Sequence, residues 1–236
     1  MNRSLATLRC DIVLQFRNGF YHVSVVFVAI WVGLWSQLPN TVNYPYALIL
    51  PALITLNMLI TTFYFVAGLV LLEKAEGTLT GLVVTPLRTE EYLGTRVLSL
   101  SVLAALESLL IVVLIYGVQF NPLPLVVGML LLGGFYTLTG FAAIVRYDSI
   151  NAYVIPSGFV VLVLLLPLID HVGLWRHPIF YLHPLQPALM LLRAAFEPPA
   201  SWQIAYGLGG SLLWFAISFA WAHRIFHRFV VRTAGE

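Results

Sequence analysis

Six separate stretches of mainly apolar residues run through the chain, and each is long enough to cross a bilayer as a helix. A hydrocarbon layer about 30 Å thick needs about 20 helical residues at 1.5 Å per residue. A lipid-exposed backbone must satisfy its own hydrogen bonds, and these stretches do not alternate as barrel strands do, so we expect helices. The predicted spans are 20–38, 47–72, 92–116, 123–145, 152–169 and 202–222.

The composition supports a membrane protein. Hydrophobic residues make up 60% of the chain and charged residues only 9%, whereas a soluble domain carries roughly 25% charged residues. The single cysteine, Cys10, excludes an intrachain disulfide. We therefore predict an all-α membrane protein whose 236 residues form one transmembrane domain, 1–236.

The first 19 residues predict a helix that lies in the membrane interface. Leu5, Leu8, Ile12 and Phe16 recur at helical spacing, with polar residues elsewhere on the wheel. Asp11 interrupts any uncharged core, which argues against a signal peptide. The alternative is that these residues only extend the first span.

Basic residues indicate the orientation. With the N-terminus inside, about ten of the 12 lysines and arginines lie on the cytoplasmic side. The two exceptions are Arg176 and Arg193, in the outer connection 170–201. This bias predicts a multi-pass protein of the cytoplasmic (inner) membrane with both termini in the cytoplasm.

Motifs for catalysis or cofactor binding are missing from the sequence. Lys74 is the only lysine and follows Glu73, so no glycine-rich nucleotide-binding loop is present. We expect no catalytic residue, metal or cofactor in this chain. His171, His177 and His183 share the outer connection; a metal site and ordinary interfacial hydrogen bonding are both open, and the second is favoured.

A few polar residues interrupt the predicted spans. Glu107 lies near the middle of the third span, where a charge costs at least a few kcal/mol. Asn57, Thr61 and Tyr64 place polar groups on the second span, and Tyr136 does so on the fourth. Two interpretations stay open: these groups join helix to helix, or they line a substrate path.

The connection from Glu73 to Arg96 is short, charged and amphipathic. Gly77 permits a sharp exit from the second span, and residues 79–84 predict a short helix. Leu79, Leu82 and Val83 would form its apolar face. The charges on either side would keep the connection in water.

The motifs of this connection resemble those of the permease subunits of type-2 ABC exporters. Glu76-Gly77-Thr78 is followed by the short helix, then Thr85-Pro86, then Thr89-Glu90-Glu91. The outer segment, with His177-Pro178, Tyr181 and Leu192-Arg193, is similar to that family's, although His177 stands where asparagine is commoner. The start of the chain, "LATLRCDIVLQFRNGFY", resembles permeases of the fluoroquinolone-type drug exporters.

The resemblance implies a fold, a partner and a set of coupling residues. The fold is six transmembrane helices with an N-terminal interfacial helix (1–19), a coupling helix (75–86) and an outer re-entrant segment (170–201) whose middle, 188–196, is helical. Residues expected to contact the ATPase are Glu76, Gly77, Thr78, Leu79, Leu82, Val83, Pro86 and Arg88.

The resemblance also implies an assembly. Two separate ABC ATPase subunits would hold ATP and Mg²⁺. A second copy or a sister permease would pair with this chain through the first and fifth spans. No nucleic-acid partner is expected. The function expected is export of a hydrophobic or amphipathic substrate. The alternatives are a haem or lipid/glycan exporter subunit and a non-transporting membrane scaffold.

Overall fold

A computed structural model describes residues 3–39, 43–81 and 88–231 of the chain, and the secondary structure in these ranges is helical. Three of the predicted coupling residues, Leu82, Val83 and Pro86, lie outside the described residues. The all-α membrane fold predicted from the sequence is confirmed.

The first two helices are joined by a sharp bend. Helix α1 (Arg3–Arg17) and helix α2 (Phe20–Ser36) meet at 64°. Gly19 at the bend has φ +79°, a conformation that glycine adopts without strain. The helix α1 therefore coincides with the predicted interfacial helix, and α2 with the predicted first span.

The second span is a single helical rod with a change of pitch. It comprises α3 (Tyr46–Met58), a π-helical segment (Leu59–Tyr64) and α4 (Phe65–Ala75). The Thr62 hydroxyl within the π-helical segment donates to the Met58 carbonyl at 2.6 Å. The wider π-helical turn, often found at functional sites, left no signal in the apolar pattern of the sequence.

The predicted turn after the second span is present. Gly77 has φ +69°, which confirms that the chain leaves α4 through a conformation suited to glycine. Helix α5 (Thr78–Gly81) follows directly. Helix α6 (Thr89–Tyr116) begins three residues earlier than predicted, because the Arg88 backbone N–H donates to Glu91 Oε2 at 2.9 Å and caps its first turn.

The rest of the chain adds three further spans and the segment that precedes the last of them. Helix α7 (Pro122–Ile144) starts at Asn121, whose side chain accepts from the Leu123 N–H at 3.2 Å. The remaining elements are α8 (Ile150–Leu165), α9 (Pro167–His171), a 3₁₀ helix (Pro178–Leu182), α10 (Leu185–Arg193), α11 (Ser201–Phe226) and a final π-helical segment (His227–Val231).

Helix α7 occupies the centre of the bundle and packs against α6, α10, α11 and the π-helical segment of the second span. Most of α7 is buried. By contrast, only 22% of the most apolar window of Ile150–His171 and 17% of that of Ser201–Val230 is buried. The faces of α8 and α11 are therefore left for lipid or for another chain.

Five helical stretches among the described residues are long and apolar enough to cross a membrane. They are Tyr46–Ala75, Thr89–Tyr116, Pro122–Ile144, Ile150–His171 and Ser201–Val230. The bent pair α1 and α2 makes a sixth if it is counted as one span. The 17 residues of α2 alone reach about 25 Å, slightly short of the hydrocarbon thickness.

Candidate functional site

A buried group of charged residues joins three helices at the end of the bundle that carries the 73–96 connection, here called the Gly77 end. Arg96 on α6 is only 1% exposed. Its guanidinium lies 3.3 Å from Asp11 on α1 and forms an ion pair with Glu73 on α4. The Tyr92 hydroxyl donates to Glu73 at 2.6 Å. We call these four residues the ionic cluster.

The ionic cluster corrects one expectation about the 73–96 connection. Its first and last charges, Glu73 and Arg96, are buried in this chain and do not stay in water. The sequence could not reveal this, because the third member, Asp11, is distant in sequence and lies on α1. A buried guanidinium between two carboxylates is tolerated because each charge has a partner.

Two opposing effects act on the Asp11 carboxyl. Burial raises its pKa to about 6, while the nearby Arg96 guanidinium acts to lower it and the Glu73 carboxylate to raise it. Beside it, Gln15 of α1 is fully buried and donates to the Ser99 hydroxyl of α6 at 3.0 Å. The polar face of α1 therefore turns toward the protein, and its apolar residues Leu5 and Phe16 stay exposed.

Lys74 fastens the end of α4 to the connection between α7 and α8. Its Nζ donates to the carbonyls of Val145 and Tyr147 at 2.7 and 2.8 Å and lies 2.9 Å from the Asp148 carboxylate. A cation is favourable at these carbonyls because they end a helix and carry the negative pole of its dipole. The Lys74 ammonium group therefore finds its hydrogen-bond partners within the chain.

The predicted coupling residues that the structure describes fall into two groups. Glu76, Gly77, Thr78 and Arg88 are exposed, and Glu76 pairs with Arg17 of α1 at 3.2 Å. Leu79, by contrast, is 3% exposed and packs in the hydrophobic core. The expectation that Leu79 presents an apolar face to a partner is therefore wrong; its side chain anchors α5 instead.

The start of α6 also contacts the end of α11. Glu90 lies 3.2 Å from the imidazole of His223, and Thr89 lies 3.4 Å from that of His227. The two ends of the 73–96 connection therefore touch α1, the α7–α8 connection and α11. Any displacement of this connection would act on all of them.

A second buried polar group lies between the second span and α6. Glu107 Oε2 accepts hydrogen bonds from the Thr61 hydroxyl at 2.6 Å and from Asn57 Nδ2 at 3.3 Å. Asn57 Nδ2 also donates to the Ser108 hydroxyl at 3.2 Å. All four residues are buried. Sequence reasoning missed Ser108, although it directly follows Glu107 in the sequence. Only the contact with Asn57 shows that it belongs to this group.

The structure brings three of the five predicted path residues together and leaves two apart. Asn57, Thr61 and Glu107 are in direct contact. Tyr136 is fully buried on α7, and its hydroxyl has no hydrogen-bond partner among the described residues. Tyr64 is partly buried, with its ring 5.3 Å from that of Phe63. Neither tyrosine hydrogen-bonds to Glu107 within the described part of the chain.

The three histidines of the 170–201 segment make separate hydrogen bonds. His171 contacts the Leu48 carbonyl at 2.8 Å and His183 the Val163 carbonyl at 3.0 Å, while His177 accepts from the Ile179 N–H at 3.2 Å. Burial lowers the pKa of the His183 imidazole. In the described ranges no cluster of three or more metal-binding side chains is found.

An apolar cavity of about 580 Å³ lies between α7, α8 and α11 and was not anticipated from the sequence. Aromatic rings of Tyr153, Phe159, Trp214 and Trp221 line it, and Arg146 lies at its edge near the Gly77 end. Cavities of this size accommodate drug-sized molecules.

Comparison with known proteins places this architecture in a family. The model of the Fluoroquinolones export permease protein family matches residues 2–234. The Fluoroquinolones export permease proteins of Mycobacterium tuberculosis strains CDC 1551 / Oshkosh and ATCC 25618 / H37Rv are each 31% identical to it over 241 aligned positions, covering 100% of this chain and 99% of theirs. With its membrane-spanning helices and its match over nearly the whole length, the chain belongs to the fluoroquinolones export permease protein family.

Proposed function

We propose that this chain is the membrane subunit of an ATP-driven exporter that moves an amphipathic drug of the fluoroquinolone class outward across the cytoplasmic membrane. A separate ABC ATPase, present in two copies, binds ATP and Mg²⁺ and drives the transport. The ATPase docks on the exposed part of the 73–96 connection. The two termini then lie in the cytoplasm, at the Gly77 end.

The observation that carries this proposal is the ionic cluster. It ties the start of α6 and the end of α4 to α1 through buried charges. These are the two ends of the connection that carries the exposed residues Glu76, Gly77 and Thr78. Because a buried charge that loses its partner costs about 3–5 kcal/mol, a push on the connection moves both spans together instead of separating the pair.

The substrate class is supported by two observations. The relatives at 31% identity are named for the export of fluoroquinolones. In this chain, the cavity between α7, α8 and α11 offers about 580 Å³ of mostly apolar space, lined by aromatic rings with one arginine at the edge. Aromatic walls suit a planar ring system, and a guanidinium suits a carboxylate.

A second permease copy, identical or a sister chain, completes the proposed transporter. The faces of α2 and α8 carry large exposed apolar side chains, among them Val25, Ile30, Ile155 and Phe159. Exposed apolar surface on a spanning helix faces lipid or another chain. Pairing of α2 with α8 of the partner would cover part of both.

The decisive test is drug export that depends on the partner's ATP hydrolysis. The chain is co-expressed with the ABC ATPase that co-purifies with it, in cells without other drug pumps, and norfloxacin accumulation is measured by its fluorescence. We expect accumulation to fall with the intact ATPase and to stay high when its nucleotide-binding lysine is replaced. Equal accumulation in both would refute ATP-driven drug export and favour a scaffold, or an exporter of haem, lipid or glycan.

The docking site is tested separately. We expect Leu82→Asp to abolish co-purification of the ATPase with a correctly inserted permease, because a charge on a buried interface core is costly. Glu76→Ala should retain assembly and lower coupled transport, because its charge lies at an exposed position. Normal assembly and transport by Leu82→Asp would show that the ATPase docks elsewhere.

A further inference from the structure

A polar pocket of about 430 Å³ lies at the end of the bundle opposite the Gly77 end, here called the Trp175 end. It is formed by α9, the 3₁₀ helix, α10 and the beginning of α11. Its lining combines charged and amide side chains with the apolar side chains of Pro178, Leu189 and Met190. We call it the outer pocket.

The first side of the outer pocket offers hydrogen-bond acceptors. Gln186 is 5% exposed, and its Nε2 donates to Asp170 Oδ2 at 2.9 Å. The amide oxygen of Gln186 is buried and has no hydrogen-bond partner among the described residues. Buried polar atoms in proteins are almost always hydrogen-bonded. An unpaired acceptor beside a carboxylate therefore points to a donor, and a cationic one is favoured.

The second side offers a free cation. Arg176 is exposed and makes no ion pair within the described part of the chain. It follows a turn at Gly173, which has φ +80°. Arg193, the other arginine of the pocket, pairs with Glu197, four residues further along the chain and beyond the end of α10. Arg176 is thus available to bind an anionic group.

From these two sides we propose that the outer pocket binds a small zwitterion. Its ammonium group lies at Asp170 and the Gln186 amide oxygen, and its carboxylate lies at Arg176. The apolar part of the pocket contacts the ring between the two charges, and 430 Å³ is enough for a drug-sized molecule. The inference rests on the proposed function: the exported drug occupies this pocket before release.

The chemistry of the pocket selects for two charges. Asp170 and Arg176 are not paired with each other, so a ligand with separated charges satisfies both. Charge-assisted hydrogen bonds are about twice as strong as neutral ones. A molecule that carries the carboxylate alone would gain only the contact with Arg176 and leave the Asp170 side unfilled.

Binding to purified permease in nanodiscs tests the proposal, with two fluorescent probes. Norfloxacin carries a carboxylate and an ammonium group, whereas nalidixic acid carries the carboxylate without a basic amine. We expect Asp170→Asn to weaken norfloxacin binding about tenfold and to leave nalidixic acid unchanged, as loss of one charged hydrogen bond implies. Arg176→Gln should weaken both probes by a similar factor.

Two further variants secure the interpretation. Arg224→Gln removes an exposed arginine at the opposite end of the bundle and should bind both probes as the wild type does. Gln186→Leu removes the unpaired amide oxygen and should weaken norfloxacin selectively, leaving nalidixic acid unchanged. Thermal unfolding of each variant shows whether it is folded, and unchanged binding of nalidixic acid by Gln186→Leu shows that the pocket is intact.

The outcomes separate the pocket from the proposed function. If Asp170→Asn, Arg176→Gln and Gln186→Leu all bind norfloxacin as the wild type does, or if the wild type binds none, the outer pocket is not a zwitterion site. That result leaves ATP-driven export to be decided by the accumulation experiment. Charge-dependent binding without any export would instead support the pocket and refute the proposed function.

Discussion

The guanidinium of Arg96 lies 3.3 Å from the carboxylate of Asp11, so that the third span is tied to the N-terminal helix by a buried charge pair. The same guanidinium pairs with Glu73 at the end of the second span. One arginine thus determines how three helices meet next to the proposed ATPase-docking connection.

Replacing Arg96 with methionine should destabilise the protein strongly. Asp11 and Glu73 would be left buried without their partner, and breaking a buried ion pair in this way costs about 3–5 kcal/mol. Unfolding in detergent, followed by tryptophan fluorescence, measures the change. The control is Arg17→Gln, which breaks the exposed pair with Glu76 and should cost at most about 1 kcal/mol. Similar losses in both variants would mean that burial of the ionic cluster is unimportant.

Glu107 variants should separate the two interpretations of the buried polar group. Glu107→Gln keeps an oxygen that accepts from Thr61, so we expect its yield to be unchanged. Glu107→Leu leaves Thr61 and Asn57 without that acceptor, at a cost of about 1–3 kcal/mol. If Glu107 lines the path, Glu107→Gln also changes drug-stimulated ATP hydrolysis. A parallel fall of yield and activity in Glu107→Gln would favour the purely structural role.

Gly140→Ala should disturb the contact between α7 and the second span. A Cβ at Gly140 would lie 2.7 Å from the Phe63 carbonyl oxygen and 3.0 Å from its Cα, and backbone atoms cannot move aside cheaply. We expect a loss of about 1–3 kcal/mol, as overpacking typically costs. Gly209→Ala, where nothing lies within 4 Å, should leave the unfolding temperature unchanged or slightly raised. Equal stability of the two variants would contradict the close approach.

Cysteine labelling should establish the orientation. The exposed Cys10 is first replaced by serine, because it is the only native thiol. A cysteine at Thr78 should react only from the cytoplasm, and one at Leu174, which is 81% exposed, only from outside. Thr233, a further cytoplasmic test position, lies outside the described residues. Gln186 is a poor outer probe because it is buried. Labelling of Leu174→Cys from the cytoplasm would reverse the proposed topology.

Disulfide trapping should identify the surface between two permeases. Cysteines at Val25 or Ile30 on α2 of one protomer should cross-link to cysteines at Ile155 or Phe159 on α8 of its partner, because all four positions are exposed apolar sites. Leu106 and Leu114, which are also exposed but lie on α6, serve as controls. Cross-linking through α6 alone would rule out the α2–α8 interface.

The sequence alone determined the fold class and the approximate positions of the spans. Long apolar runs can satisfy their backbone hydrogen bonds in a membrane only as helices, and this is a local property that needs no partner. Gly77 was predicted as a turn for a similarly local reason, and its φ of +69° confirms it. The resemblance of the 73–96 connection to exporter permeases is local as well, because its motifs consist of residues that are close together in the sequence.

The tertiary structure decided which polar residues are shared between helices. Leu79 was expected to face a partner, but it is buried because α5 turns back onto the bundle. The sequence indicated that α1 is amphipathic, but not that Asp11 and Gln15 on its polar side pair with α6. Apolar periodicity reports that a residue is buried or exposed on one helix. Which group on another helix becomes the partner of a polar side chain depends on packing between segments that are distant in sequence. Only the folded chain contains that information.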